Sequence, residues 1–170
     1  GFPFGLLFGH EFSWSTIRIP GVLQRIAIVY MIASILFLTT DTKFQYWFTG
    51  AILVIYTMLM SLVPVPEVGY ANFEPGTNLS AWIDRLVLGT HLWSGTKLWD
   101  PEGVLSTIPA IGSAMLGIFT GNLLRSEKDP ATKTVWLYVL GSVLMVVGWG
   151  WSFWFPINKN IWTSSYVLWT

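Results

Sequence analysis

DPEGVLSTIPAIGSAMLGIFTGNLL, residues 100–124, runs from a charged loop directly into an apolar segment of membrane length. Asp100 suits a helix cap, Pro101 suits the first helical position because its missing N–H has no partner there, and Glu102 lies favourably at the positive end of the helix dipole. The sequence therefore predicts a helix start at these residues and a membrane span over residues 104–124.

Small side chains recur along this span. Ser113, Gly117 and Gly121 are spaced four residues apart on one helical face, which lets a second helix approach closely within lipid. Pro109 predicts a kink near the start of the helix. Two interpretations stay open: a well-capped, tightly packed span without chemistry, and a span that also carries a site.

Composition places the chain among integral membrane proteins. Hydrophobic residues make up 53% of it, charged residues only 11%, and it contains 11 Trp and 11 Phe, which does not describe a soluble domain. Nine basic residues balance nine acidic ones, so nothing indicates a nucleic-acid partner. The absence of cysteine excludes disulfides and thiolate metal sites, and no metal site is predicted.

Apolar runs near the length of about 20 residues that a bilayer core requires predict an all-α bundle in a single transmembrane domain. Four full spans are expected over residues 22–40, 44–63, 104–124 and 134–155, with the start of a fifth over residues 161–170. Residues 1–20 form an aromatic approach segment without the basic start of a signal peptide. Because the chain lacks an initiator Met and stops inside an apolar run, we expect an excerpt of a longer protein.

Arg25 comes about one helical turn inside the first predicted span. An arginine at the centre of a membrane helix costs roughly 2.5–3.5 kcal/mol, so such a residue usually has a partner or a water-filled cavity. The alternative is that its long side chain reaches back to the membrane interface. The sequence leaves both interpretations open.

The longest polar stretch, residues 67–100, contains one recognisable helix over residues 79–88. Its apolar positions at helical spacing are Leu79, Trp82, Ile83, Leu86 and Val87. Asp84 and Arg85 are expected to face away from them. We favour an amphipathic helix along the membrane interface, with a plug at the top of the bundle as the alternative.

Basic residues in the short turns set the expected orientation. Lys43 lies in one turn, and Arg125, Lys128 and Lys133 lie in or beside the other, so the positive-inside rule predicts that both turns are cytoplasmic. The long loop then lies on the extracytoplasmic side. Polar residues from several segments converge there, which indicates a shared cavity at that mouth of the bundle.

Four phrases tie nearly the whole chain to a known family. They are RIPGVLQRIAIVY (18–30), WIDRLVLG (82–89), DPEGVLSTIPAIGSAMLG (100–117) and PINKNIWTSSYVL (156–168). Their order and separations resemble the heparan-α-glucosaminide N-acetyltransferase family of transmembrane acyltransferases and its bacterial relatives. The resemblance implies a multi-span enzyme that takes acetyl from cytoplasmic acetyl-CoA and delivers it to an amino sugar or glycan on the lumenal or periplasmic side.

The family's proposed catalytic histidine belongs to an earlier region, close to a Trp and shortly before an Asp-Leu-x-Phe-Pro stretch. Neither His10 nor His91 matches that arrangement, and we expect solvated or capping roles for both. The catalytic residue of this chain is therefore unknown. The resemblance implies a central part of the enzyme that lacks the catalytic histidine.

Supporting roles are predicted for polar residues near the expected cavity. Carboxylates can accept hydrogen bonds from the hydroxyls and amine of a sugar, arginines can neutralise them, and an indole can contact a sugar ring or a pantetheine arm. The candidates for substrate binding or cavity lining are Arg18, Gln24, Arg25, Asp84, Arg85, Asp100, Glu102, Asn158, Lys159, Asn160, Trp162, Ser164 and Ser165. Each can instead be a helix cap or a loop contact.

Two other functions fit a bundle with a polar mouth. A transporter or flippase for a glycan or lipid would move substrate without consuming acyl-CoA, and a structural bundle would serve partner subunits. The expected partners are the lipid bilayer and the acceptor, with a homodimer left open. For this multi-pass protein, a bacterial inner membrane is favoured over a lysosomal one.

Overall fold

A computed structural model describes residues 18–93 and 95–170. Residues 1–17, which include most of the predicted approach segment and His10, lie outside the described residues. The helices are α1 (Val22–Thr39), α2 (Thr42–Leu62), α3 (Leu79–Leu88), α4 (Thr107–Arg125), α5 (Pro130–Trp151) and α6 (Ser164–Trp169), with a short 3-10 helix at Gly89–His91. No strand occurs within these two ranges.

Four of these helices, α1, α2, α4 and α5, are long and apolar enough to cross a membrane. The all-α class and the four spans are therefore confirmed, and the chain is a multi-pass integral membrane protein. α6 has six residues and is no span by itself. It begins at residue 164 rather than 161 because the side chain of Thr163 caps it by accepting a hydrogen bond from the Tyr166 N–H.

The bounds of α5 differ from the prediction at both ends. It begins at Pro130, four residues before the predicted start, because Asp129 accepts a hydrogen bond from the Thr132 N–H and proline suits the first position. It ends at Trp151 rather than Phe155. The turn between α4 and α5 is accordingly shorter than the hydrophilic stretch indicated.

The predicted helix start at residues 100–102 is wrong. α4 begins only at Thr107, and residues 100–106 form hydrogen-bonded turns. The Asp100 carboxylate accepts hydrogen bonds from Arg18 and from the Glu102 N–H, so it caps a turn instead of a helix. Pro109 is the third residue of α4, where its missing N–H removes no intrahelical hydrogen bond.

α4 is the central helix of the bundle and packs against both α1 and α2. Ala33 of α1 with Ile111 and Met115 of α4 form one buried cluster. A second cluster, which includes Tyr56, Met60 and Phe155, lies where α2 ends and α5 ends. We call this the loop end of the bundle, and the opposite end, with residues 40–41 and 126–129, the turn end.

Gly117 and Gly121 of α4 do not mediate the close approach that their spacing predicts. A Cβ added at Gly117 or Gly121 would meet nothing within 4 Å, whereas Gly148 of α5 touches the backbone of α6. There, a Cβ would lie 2.7 Å from the Trp169 nitrogen and 2.9 Å from the Ser165 oxygen. At Gly148, therefore, the backbones of α5 and α6 approach each other closely.

α3 has the predicted bounds but the opposite orientation at three positions. Asp84 is buried, while Leu86 and Val87 are 69% and 61% exposed. The reason is that Asp84 accepts a hydrogen bond from the backbone of the segment that leads to α4, which fixes the rotation of the helix. Its expected apolar stripe is therefore divided between the protein and the surroundings.

Candidate functional site: a polar cluster at the mouth of an apolar cleft

A cleft of about 650 Å³ lies between α1 and α4. One stripe of α1 forms a wall, with Val22, Ile26, Val29, Tyr30, Ala33 and Phe37. The facing wall consists of Ala110, Ser113, Ala114 and Ile118 of α4. The charged residues that line the cleft, Arg25 and Glu102, lie at the loop end of the bundle. The cleft is therefore an apolar groove with a polar mouth.

Arg25 is fixed at this mouth by three contacts. Its guanidinium donates hydrogen bonds to the carbonyl oxygens of Pro101, at 2.8 Å, and Ser106, at 2.7 Å. The same group lies 4.3 Å from the centre of the Trp162 ring, in cation–π geometry. With only 8% of the residue exposed, Arg25 has found partners within the protein and does not reach back to the interface.

A second arginine holds the carboxylates beside it. Arg18 donates to Asp100 through its Nε atom, at 2.9 Å, and through its terminal nitrogen, which also contacts Glu102. The hydrogen bond to Asp100 raises the pKa of Arg18 above its usual range. The mouth therefore combines two positive and two negative side chains, and one of the carboxylates, Glu102, lines the cleft.

Trp162 closes the cleft next to Arg25. Its indole N–H donates to the Ser113 hydroxyl at 3.0 Å, and its ring meets Tyr166 edge-on. The backbone φ of Trp162 is +51°, a left-handed conformation that is costly for a bulky residue. The backbone of the loop before α6 is thus strained at Trp162, and this conformation places the indole ring against α4 and Arg25.

Two curated proteins are similar to most of the chain. The heparan-alpha-glucosaminide N-acetyltransferase of Mus musculus is 33% identical over 91% of the chain, and that of Homo sapiens is 29% identical over 91%. No family model matches. The chain is a relative of the heparan-alpha-glucosaminide N-acetyltransferases. It spans about a third of the length of these relatives, with 31% of each covered.

The relation to heparan-alpha-glucosaminide N-acetyltransferases confirms the family resemblance carried by the four phrases. Three of those phrases contribute residues to the mouth. RIPGVLQRIAIVY supplies Arg18 and Arg25, DPEGVLSTIPAIGSAMLG supplies Asp100 and Glu102, and PINKNIWTSSYVL supplies Trp162. The fold thus brings together parts of the sequence that are far apart along the chain.

Asp84 and Arg85 do not line the cleft. Asp84 is 1% exposed and accepts a hydrogen bond from the Val104 N–H at 2.9 Å. Burial raises the pKa of its carboxyl to about 6. Arg85 instead pairs with Glu67 at 2.6 Å and donates to the Gly76 carbonyl. WIDRLVLG therefore supports the loop behind the mouth.

The remaining candidates also lie away from the cleft walls. Gln24 is exposed, and Lys159 and Asn160 are exposed in the loop before α6. Asn158 organises that loop by accepting a hydrogen bond from the Asn160 N–H. Ser164 and Ser165 are fully buried and donate to the carbonyls of Leu53 and Phe155, so they join α6 to its neighbours.

The cleft walls contain residues that the sequence interpretation missed. Val22, Ile26, Val29, Ala33 and Phe37 share one face of α1 with Arg25. A helical wheel centred on the unusual arginine would have identified this face, because spacings of three and four residues repeat along it. The facing residues of α4 had a weaker signal, since small residues alone do not distinguish a cleft from a packed interface.

Histidine and metal ligands give no further site in the described part of the chain. His91 ends the short 3-10 helix, and its carbonyl accepts a hydrogen bond from the Ile19 N–H. No group of three or more His, Asp or Glu side chains that could hold a metal occurs among residues 18–93 and 95–170.

Proposed function

We propose that this chain is the central part of a membrane-bound acyltransferase. The enzyme transfers acetyl from acetyl-CoA on the cytoplasmic side to an amino sugar or glycan on the extracytoplasmic side. The observation that carries the proposal is the similarity to two N-acetyltransferases over 91% of the chain. The polar mouth supports it, because three of the four phrases that carry the family resemblance supply its charged and aromatic residues.

The reaction requires a nucleophilic amine, a thioester and a route for one proton. The amine nitrogen attacks the acetyl carbonyl carbon, the C–S bond breaks, and the coenzyme leaves as a thiol. The base that takes the amine proton is the histidine of the family's motif, whose pattern neither His10 nor His91 matches. The residues of this chain bind and orient the reactants.

Glu102 is the residue that we assign to the acceptor. Its carboxylate lines the cleft and can accept hydrogen bonds from a sugar hydroxyl or amine. Arg18 holds this carboxylate in place by direct contact. Trp162 presents a ring beside it, so a sugar or the pantetheine arm of the donor can stack at the mouth.

The test is an acetyl-transfer assay with the full-length protein in vesicles, labelled acetyl-CoA on one side and amino sugars on the other. Wild-type protein should produce labelled N-acetyl product. Glu102→Gln should lower kcat/KM by about tenfold to a hundredfold, since a hydrogen bond to a charged group contributes about 1.5–3 kcal/mol.

Glu67→Gln is the matched control, because Glu67 is a loop-end carboxylate that pairs with Arg85 and does not line the cleft. Its transfer rate should stay within twofold of wild type. A sugar flux across the vesicle that consumes no acetyl-CoA would contradict the acyltransferase assignment. Equal rates in both variants would remove Glu102 from the site.

A further inference from the structure

Asp84 is a buried carboxyl that the proposed reaction does not use. One oxygen, Oδ1, accepts the Val104 N–H, and the other, Oδ2, is buried with no hydrogen-bond partner among the described residues. The carboxyl also touches Gly103 so closely that an added Cβ would lie 2.1 Å from Oδ2. The carboxyl of α3 therefore fits against the backbone of residues 103–104 and allows no side chain between them.

The segment of residues 100–106 carries most of the mouth. It presents Glu102 to the cleft, and its Pro101 and Ser106 carbonyls accept the two hydrogen bonds from Arg25. The hydrogen bond from Val104 to Asp84 is made between these two carbonyls in the chain. Val104 therefore lies in the same short segment as both partners of Arg25, so a shift of its backbone would disturb them.

We propose that Asp84 is a positioning residue, which holds residues 100–106 against α3 so that Glu102 and Arg25 keep the arrangement needed for transfer. Its effect on transfer rests on the proposed function, whereas its effect on the segment does not. Asp84 touches neither the cleft nor the reactants, so it acts only through the Val104 backbone and the contact with Gly103.

The charged and titratable groups that face Asp84 come from three sides. The backbone N–H groups of Val104 and Asp100 lower its pKa, and so does the charge of Arg85 on α3. The charge of Asp100 in the loop raises it, and the Tyr56 hydroxyl of α2 lies within electrostatic range. Burial is the largest cause and brings the pKa from an ordinary 3.8 to about 6. The Asp84 carboxyl thus binds its proton more tightly when residues 100–106 are ordered against α3 than when this segment has opened.

The direction of the pH effect follows from this difference. Since the pKa is raised in the ordered state, protonation favours that state, and its stability falls as pH rises from about 4 to about 6. Above this window the carboxylate is ionised, and its buried Oδ2 lacks a donor. The segment should therefore open more readily at neutral pH than at acidic pH.

The direct test is hydrogen exchange of the peptide containing Val104, measured in the full-length protein in detergent. Asp84→Ala removes the acceptor and should increase exchange of this peptide at least tenfold. Asp84→Asn keeps an oxygen that can accept the Val104 N–H but cannot ionise. The Val104 peptide should therefore stay protected, without the increase in opening that wild type shows as pH rises from about 4 to about 6. Each variant is compared with wild type at the same pH.

A second pair of variants keeps the inference falsifiable if Asp84→Ala fails to fold. Gly103→Ala should by itself expose the Val104 peptide, because its Cβ meets the Asp84 carboxyl. In the Asp84→Ser background, which shortens the side chain, the same change should be tolerated, so the two effects should not add. Additive effects would overturn the direct contact.

Acetyl transfer gives the readout that separates the two proposals. Asp84→Asn should retain a turnover rate similar to wild type at acidic pH and exceed it at neutral pH, which a purely structural defect would not produce. Unchanged exchange in Asp84→Ala would overturn the positioning role. Absence of transfer by wild type, with increased exchange in Asp84→Ala, would overturn the acyltransferase assignment and leave the segment contact standing.

Discussion

Arg25 joins three parts of the chain that are distant in sequence. It lies on α1, donates to carbonyls that are 76 and 81 residues later, and stacks on Trp162. A guanidinium suits this position because its planar fork can serve both carbonyls and an aromatic face at once, whereas an ammonium cannot. One side chain thereby ties the bundle to both segments that form the mouth.

Replacing Arg25 by Ala should destabilise the protein strongly. The Pro101 and Ser106 carbonyls would lose their donor, and an unsatisfied buried acceptor costs about 1–3 kcal/mol. We expect a melting temperature several degrees lower for the full-length protein in detergent, and a smaller loss for Arg25→Lys. Arg125→Ala, at the exposed end of α4, serves as the control and should melt like wild type.

At the level of elements, hydropathy and length predicted the spans, because crossing a bilayer is a local requirement that each segment meets alone. The start of α4 was not predictable in this way. Asp100, Pro101 and Glu102 have the right chemistry for a helix start, but Arg18 lies 82 residues away and takes the carboxylate. The same limit applies to α3, whose rotation depends on Val104, 20 residues later.

The site shows the same division between local and distant effects. The sequence identified Arg25, Glu102 and Trp162 as candidates because charge and indole stand out in an apolar chain. It could not separate them from Ser164 and Ser165, since burial against a distant backbone leaves no trace in the local pattern.

Gly148 tests the contact between α5 and α6. Gly148→Ala should destabilise the protein by about 1–3 kcal/mol, as overpacking does, because its Cβ would meet backbone atoms that cannot rotate away. Gly141→Ala is the control on the same helix, where nothing lies within 4 Å. It should be neutral or stabilising by about 1 kcal/mol, from helix propensity alone. Equal melting temperatures for the two variants would contradict the close packing of α6.

At the level of the whole molecule, the two ends of the bundle differ in chemistry. The turn end has two short connections, while the loop end holds α3, the mouth and both buried aspartates. The basic residues of the turns predict that the turn end is cytoplasmic. On this prediction, the mouth would lie on the side where the proposed acceptor is found.

Cysteine labelling can measure this orientation directly, because residues 1–170 contain no cysteine and any cysteine elsewhere in the full-length protein can first be replaced. Lys128→Cys lies at the turn end and Glu67→Cys at the loop end, and both positions are exposed. A membrane-impermeant maleimide added to intact cells should label Glu67→Cys and spare Lys128→Cys. Labelling of Lys128→Cys alone would reverse the orientation and place the mouth in the cytoplasm.

The long separation between Arg25 and its partners also has a consequence for biosynthesis. Ribosomes add about 5–20 residues per second, so Pro101 emerges roughly 4–15 s after Arg25, which it follows by 76 residues. During that interval α1 enters the bilayer with an unpaired arginine. Of the four spans α1 has the highest hydropathy, which offsets this charge until the later segments arrive. Polar substitutions elsewhere in α1 should therefore impair membrane insertion more than equal substitutions in α5.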